Sequence, residues 1–326
     1  MSSKNSRVDS ADAAVSAARA LTRKTVSQIK EEIKQRLKDV SKTPKLEAEM
    51  LLEHFLRMPK HRQIIEGEEL ATEDLVTIET LVELLEATQK RENHTPLAYI
   101  LGYKWFYKKK FYLNEHTFIP RPDTEILVEH ALRVSYNRLN SGDFDKTKLR
   151  VLDLCTGSGA ISISIAEELE EKFGRDRFEV YALDISQAAL KIAAKNDSKK
   201  LVHFLNKDVC KLENSDYAEL AKFDLIISNP PYIPEPDTAT WQLELNYEPQ
   251  HALTSGKDGM DVYSSIFTHL PHLLSKQGIF LGEIYPENAR FYENFAKRVQ
   301  FEIGFLKGLA EENRFMSLRW PNYTLP

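Results

Sequence analysis

Val151-Leu-Asp-Leu-Cys-Thr-Gly-Ser-Gly-Ala160 is the stretch whose reading decides the fold. Residues 149–154 form a short apolar run, and residues 161–172 follow with helical spacing. Strand, tight turn and helix are the implied order. Gly157 and Gly159 let the backbone pass close to a ligand where a Cβ would collide. The helix N-terminus beside the loop favours a negative or electron-rich group. Asp153, at the strand end, can bind a cation. The third glycine of the GxGxxG dinucleotide pattern is missing, because position 162 is serine.

Downstream, strands and helices keep alternating. Strands are expected at 178–183, 202–206, 223–228 and 278–283, with helices at 187–195, 262–274 and 288–298. Two further strands, near 300–306 and 314–320, close the chain. Such alternation implies a mostly parallel sheet with helices on both faces. The second strand runs into Asp184, where a carboxylate can accept two hydrogen bonds from a ribose diol. An acid at 153 suits an ammonium-bearing ligand better than a pyrophosphate. S-adenosylmethionine carries both a ribose and an amino-acid end. Asp208 and Val209 lie just past the third strand, where an adenine could be gripped; a solvated loop acid accounts for Asp208 as well.

Asn229-Pro-Pro-Tyr232 is the most specific feature, directly after the apolar strand Asp224-Leu-Ile-Ile-Ser228. The prolines fix the backbone at Pro230 and Pro231. The Asn229 side-chain oxygen and the Pro230 carbonyl can then accept both hydrogens of one planar NH2 group, and Tyr232 can stack on its face. Amides and aromatic amines are poor nucleophiles. Preplaced acceptors stabilise the charge that develops on nitrogen during attack on a methyl and set the in-line geometry.

Upstream, Val26, Ile29, Ile33 and Leu37 recur at helical spacing. Thr43-Pro44 can open a second helix with Leu46, Met50, Leu51, Phe55 and Leu56 on one face. A third helix is expected from about Thr72 to Lys90. Residues 103–118 read as a β-hairpin with Lys108, Lys109 and Lys110 at its turn, a local basic cluster with Lys104 that either steers a partner or is a solvated turn. Ile119-Pro-Arg-Pro-Asp-Thr-Glu125 is an ordered connector, with Asp123 or Thr124 capping the helix from Glu125. Arg121 can clamp an acid such as Glu125 or contact a partner's backbone. Trp105, Trp241 and Trp320 read as packing residues.

The whole chain has 326 residues and a net charge of -5, which argues against a general nucleic-acid coat. Its two cysteines, Cys155 and Cys210, form neither a disulfide framework nor a zinc spacing, so no metal is expected. No apolar run is long enough to span a membrane. Residues 1–24 are rich in Ser and Ala and carry five basic residues against Asp9 and Asp12. They fit either a flexible tail or a transit-peptide-like segment.

Asp-Leu-x-Thr-Gly-Ser-Gly at 153–159, the acid at 184 and Asn-Pro-Pro-Tyr at 229–232 resemble class I methyltransferases acting on planar nitrogens. Pro96-Leu-Ala-Tyr-Ile-Leu-Gly102, Phe106, the 119–125 connector, residues 43–52 and Tyr247-Glu-Pro249 narrow the resemblance to the HemK/PrmC protein N5-glutamine methyltransferases. The resemblance implies a Rossmann-like seven-stranded α/β sheet with a small N-terminal helical domain at 25–93, a connecting hairpin at 94–120 and a catalytic domain at 121–326. It implies methyl transfer from S-adenosylmethionine to the glutamine of the Gly-Gly-Gln motif of a class I peptide-chain release factor. Cofactor contacts would come from Asp153, Cys155, Thr156, Gly157, Ser158, Gly159, Asp184, Asp208, Val209 and Asn229. Asn229, Pro230 and Tyr232 would be catalytic; Phe106, Pro231 and Glu248 would help seat the substrate with them. The family usually carries glycine where Cys155 stands. A monomer in the mitochondrial matrix is expected, with the cytoplasm as the alternative location and adenine-N6 nucleic-acid methylation as the alternative activity.

Overall fold

The computed structural model of the chain describes residues 14–69, 75–141, 148–220, 222–235 and 242–321. Two compact units divide at Gly102/Tyr103. The hairpin therefore counts with the second unit rather than standing apart as a linker.

The first unit is helical. Thr25 caps the helix Val26–Leu37 through a reciprocal capping box with Gln28, and Val26, Ile29, Ile33 and Leu37 are all buried. Pro44 opens the helix Pro44–Leu56, which buries Leu51, Leu52 and Leu56; Leu46 is exposed instead of sharing their face. The third long helix is Ile78–Glu92, starting later than the periodicity suggests because Thr77 supplies its cap. Its expected first turn falls partly on residues 70–74, outside the described ones. Two short helices, Lys60–Ile65 and Leu97–Leu101, each follow a proline and are too short to show a period. Arg91, almost fully buried, pairs with Glu47 at 2.7 Å. Residues 14–21 are helical, with Ala18 and Leu21 buried, so this part of the leading segment is folded rather than flexible.

The second unit begins with strands β1 (Tyr103–Phe106) and β2 (Lys109–Tyr112). Their turn is Tyr107-Lys108, both at positive φ, so Lys109 and Lys110 sit on β2 and the hairpin ends well before residue 118. The three lysines are spent internally: Lys108 on Glu168, Lys109 on Glu167, and Lys110 over the Tyr103 ring. The helix after the connector spans Pro122–Asn140, with Arg121 at its N-cap position and no side-chain cap. Trp320 packs on Phe301 and donates to the Ser275 carbonyl, whereas Trp105 is exposed; Trp241 lies outside the described residues.

Seven strands follow: β3 (Leu149–Leu154), β4 (Phe178–Asp184), β5 (Val202–Asn206), β6 (Phe223–Ser228), β7 (Leu274–Glu283), β8 (Glu302–Lys307) and β9 (Asn313–Arg319). Their order across the sheet is β5-β4-β3-β6-β7-β9-β8, parallel except for β9. Alternate strand residues feed two cores. Val151, Leu225, Ile227 and Leu281 pack toward the helices Pro122–Asn140 and Ala160–Phe173, while Leu152, Ile226 and Phe280 pack toward Asp261–Leu273 and Ala289–Arg298. Each fully buried aliphatic side chain contributes about 1.5–3 kcal/mol. The chain leaves β3 toward β4 and β5, then returns to β6 on the other side. The C-terminal ends of β3 and β6 therefore flank the switch point, where open α/β sheets bind ligands.

Candidate functional site

A cavity of about 380 Å³ opens at that switch point. Its size lies within the range of small-molecule sites. Cys155, Thr156, Gly157, Ser158, Asp184, Asp208, Val209, Asn229, Pro230, Pro231 and Tyr232 line it. Residues up to 77 positions apart, from Cys155 to Tyr232, meet here because each follows or closes a parallel strand: the loop follows β3, Asp184 ends β4, and Asn229 follows β6.

The loop after β3 is held by hydrogen bonds to two acids. Asp153 is wholly buried; its Oδ2 accepts from Thr156 Oγ1 at 2.6 Å and from the Ser162 amide at 3.2 Å. Its Oδ1 has no hydrogen-bond partner among the described residues. Burial raises its pKa to about 7. Asp153 does not line the cavity; it braces the loop from beneath. Asp184 Oδ2 accepts from the Gly157 amide and Oδ1 from the Ser186 amide, each at 2.8 Å. A carboxylate has about four lone-pair sites, so Asp184 keeps capacity for a diol while its orientation is fixed. Burial raises its pKa, against the pull of those two amides.

Gly157 and Gly159 both have positive φ. A Cβ on Gly159 would stand 2.6 Å from Ile163 Cδ1, whereas one on Gly157 meets nothing within 4 Å and would project into open space. Gly159 thus serves helix packing and is not on the cavity wall, while Gly157 keeps the wall clear. Cys155 sits at φ 62°. A non-glycine residue in that region costs roughly 1–2 kcal/mol, which explains the usual glycine. Burial pushes its thiol pKa well up, so it stays protonated. Asp208 Oδ1 accepts from the Cys210 amide at 2.9 Å, which fixes the turn carrying Val209 on the wall.

Residues that fit a nucleoside therefore meet on one wall: a carboxylate for the ribose, Ile185 and Val209 as apolar faces, and a glycine loop that admits close approach. These features fit S-adenosylmethionine. Asp184 would hold the ribose, the 208–209 turn the adenine, and the loop the amino-acid end.

The opposite wall is tied to distant segments that sequence spacing does not connect. Asn229 Nδ2 lies 3.3 Å from Thr124 Oγ1, and Thr124 Oγ1 donates to Glu283 Oε2 at 2.7 Å. Tyr232 donates its hydroxyl to Glu283 Oε1 at 2.8 Å and accepts from Arg314 Nη2 at 2.7 Å. Arg314 also pairs with Glu283 at 3.0 Å. Glu283 is fully buried at the end of β7; desolvation raises its pKa while Arg314 opposes the rise. Burial and the nearby Glu283 charge push the Tyr232 phenol well up, so it stays neutral. Thr124, expected as a helix cap, serves this network instead. Glu283 and Arg314 carried no motif; a lone carboxylate closing the apolar run Gly278-Ile-Phe-Leu-Gly-Glu283 was the available signal.

Two residues expected against the substrate lie elsewhere. Phe106 is buried beside Phe111, edge to face with centroids 6.0 Å apart, in the core under the hairpin. Glu248 is buried and off the cavity wall. Its Oε2 accepts from the Ile119 amide at 3.0 Å and its Oε1 pairs with Arg121, which therefore clamps Glu248 rather than Glu125. This staple fixes the segment whose Phe118 and Pro120 do line the cavity.

A methyltransferase domain model matches residues 145–307, and a PrmC N-terminal domain model matches residues 28–102. The release factor glutamine methyltransferase of Thermodesulfovibrio yellowstonii is 33% identical over 278 residues, covering 84% of this chain and 91% of that protein. That of Chlorobaculum tepidum is 34% identical, covering 77% and 82%. A bifunctional methyltransferase of Rickettsia prowazekii is 33% identical over 84% of this chain, and the chain spans about half (53%) of that longer protein. With both domain models matched in order and relatives aligned over most of their length, the chain belongs to the release factor glutamine methyltransferase (PrmC) family.

Proposed function

We propose that the protein transfers the methyl group of S-adenosylmethionine to the side-chain amide nitrogen of the glutamine in the Gly-Gly-Gln motif of a class I peptide-chain release factor. One observation carries the reading: Asn229-Pro-Pro-Tyr232 and the Asp184-braced glycine loop face the same cavity. The cofactor supplies an electrophilic methyl group. Asn229 and the Pro230 carbonyl hold the two amide hydrogens, so positive charge developing on the nitrogen meets acceptors already in place. No side-chain base is needed before transfer; the proton leaves after the nitrogen has gained the methyl. Most of the cavity's surface is apolar, and an apolar surround strengthens those contacts. The relatives from Thermodesulfovibrio yellowstonii and Chlorobaculum tepidum are release factor glutamine methyltransferases by name, which does not favour adenine-N6 methylation of nucleic acid.

The test supplies cofactor with a class I release factor and, separately, with DNA, and locates the methyl by mass spectrometry. Methyl on the Gly-Gly-Gln glutamine supports the reading; methyl on adenine alone overturns it.

Location forms part of the proposal. The Ser/Ala-rich residues ahead of the helix at 14–21, with Lys4 and Arg7 against Asp9 and Asp12, would act as a mitochondrial presequence, with the folded domain left whole because Ala18 and Leu21 are core residues. Terminal sequencing of the chain recovered from fractionated cells checks this. Recovery from the cytosol with residue 1 intact would rule it out. Among the described residues no helix is long and apolar enough to cross a membrane.

A further inference from the structure

We propose that Glu283 is a positioning residue that sets the polarity of the amide clamp, acting through Thr124 to decide which end of the Asn229 amide faces the cavity. The inference rests on the glutamine-methyltransferase reading and deepens it. An ionised carboxylate only accepts hydrogen bonds. Thr124 must therefore commit its single hydroxyl proton to Glu283 Oε2, 2.7 Å away. Its remaining capacity toward Asn229, 3.3 Å away, is as an acceptor. That holds the nitrogen limb of Asn229 against Thr124 and leaves the carbonyl limb for a ligand in the cavity that Asn229 lines. A substrate amide nitrogen presents hydrogens and needs a carbonyl there.

The second carboxylate oxygen locks the arrangement. Glu283 Oε1 receives the Tyr232 hydroxyl at 2.8 Å and Arg314 Nη2 at 3.0 Å. Arginine only donates, and Tyr232 already accepts from the same Arg314 nitrogen at 2.7 Å. In Glu283→Gln the carbonyl must therefore occupy the Oε1 place. The new NH2 then points at Thr124, whose proton turns to Asn229. The Asn229 amide reverses and offers N–H groups where the substrate needs an acceptor.

The experiment compares wild type, Glu283→Gln, Thr124→Val and Thr124→Ser on the intact release factor. Glu283→Gln is expected to lower kcat about 100-fold, the loss typical of removing one preorganised hydrogen-bonding group, with cofactor binding by calorimetry unchanged. Thr124→Val, which removes the relay, lowers kcat less than Glu283→Gln, and Thr124→Ser recovers most of what Val loses. The double change Glu283→Gln/Thr124→Val falls to the Thr124→Val level rather than to the product of the two losses. A release factor with Glu in place of the Gly-Gly-Gln glutamine gives the readout a structural role would not move. It should compete at least 10-fold better, relative to the native factor, against Glu283→Gln than against wild type.

If Glu283→Gln fails to fold, the Thr124→Val and Thr124→Ser pair decides alone: equal kcat in the two overturns the inference. Wild-type kcat in Glu283→Gln, or no gain by the glutamate competitor against a folded Glu283→Gln, also overturns it. A wild type that never methylates the glutamine refutes the underlying reading instead.

Discussion

The two walls of the cavity are built differently. The cofactor wall is local: Thr156, Ser162 and the glycines lie within nine residues of Asp153, and Asp184 reaches the loop through one backbone amide. The amide wall joins Thr124, Asn229, Tyr232, Glu283 and Arg314, which come from four separate segments. A local wall is a property of a loop and the strand beside it. A distributed wall is a property of the whole sheet, because β6, β7 and β9 must be in register before their ends can meet. Damage to the first should appear as lost cofactor affinity, and damage to the second as lost turnover.

The largest expected effect separates the walls most sharply. Asn229→Ala should lower kcat by about 100- to 1,000-fold while leaving cofactor affinity nearly intact; full turnover in that variant would end the amide-clamp account. Asp184→Ala should do the reverse, weakening cofactor binding roughly 100-fold, since hydrogen bonds to a charged group are worth about 1.5–3 kcal/mol each. Calorimetry and single-turnover rates on the two variants check the division, and equal losses in both parameters would blur it.

Gly159→Ala should destabilise the fold by about 1–3 kcal/mol, because the new Cβ meets Ile163 in a left-handed backbone. Gly157→Ala meets no neighbour and should lose less stability. Denaturant midpoints distinguish them, and the opposite order would contradict the packing role of Gly159.

A pH effect follows from Asp153. Its folded pKa, about 7, is raised above the ordinary carboxylate range by burial. The stability it contributes is therefore full below the ordinary carboxylate pKa of about 4 and is lost as pH rises from there to about 7, at about 1.4 kcal/mol per unit, with no further change above. Asp153→Asn cannot ionise, so its melting temperature should gain on wild type between about pH 4 and 7 and hold that gain above. A constant gap would mean that Asp153 titrates elsewhere.

The smallest effect is expected at Cys155. Gly in its place removes strain at φ 62° but adds freedom to the unfolded chain, so stability should shift by no more than about 1 kcal/mol. A several-fold gain in cofactor affinity would show that the thiol crowds the cavity.

Much of this was legible in the chain. The strands 149–154 and 223–228 have the bounds expected of them, since buried parallel strands are mostly apolar runs, and the edge strand 202–206 matches as well although none of its residues is buried. The glycine loop, Asp184 and Asn229-Pro-Pro-Tyr232 were visible because their geometry comes from neighbours in sequence. Phe106 and Glu248 were expected against the substrate and lie in the core and in a staple, because residue type does not show which face of a hairpin or loop turns inward. Short helices after Pro59 and Pro96 escaped notice for want of a full period.

Sequence alone thus determined the class of sheet, the cofactor loop and the nitrogen-binding tetrapeptide, all of them written in contiguous residues whose backbone preferences are local. Tertiary structure decided how Asn229 is oriented. Its partner Thr124 stands 105 positions away, and only the closed sheet brings the buried Glu283 carboxylate to that hydroxyl, which has one proton to give.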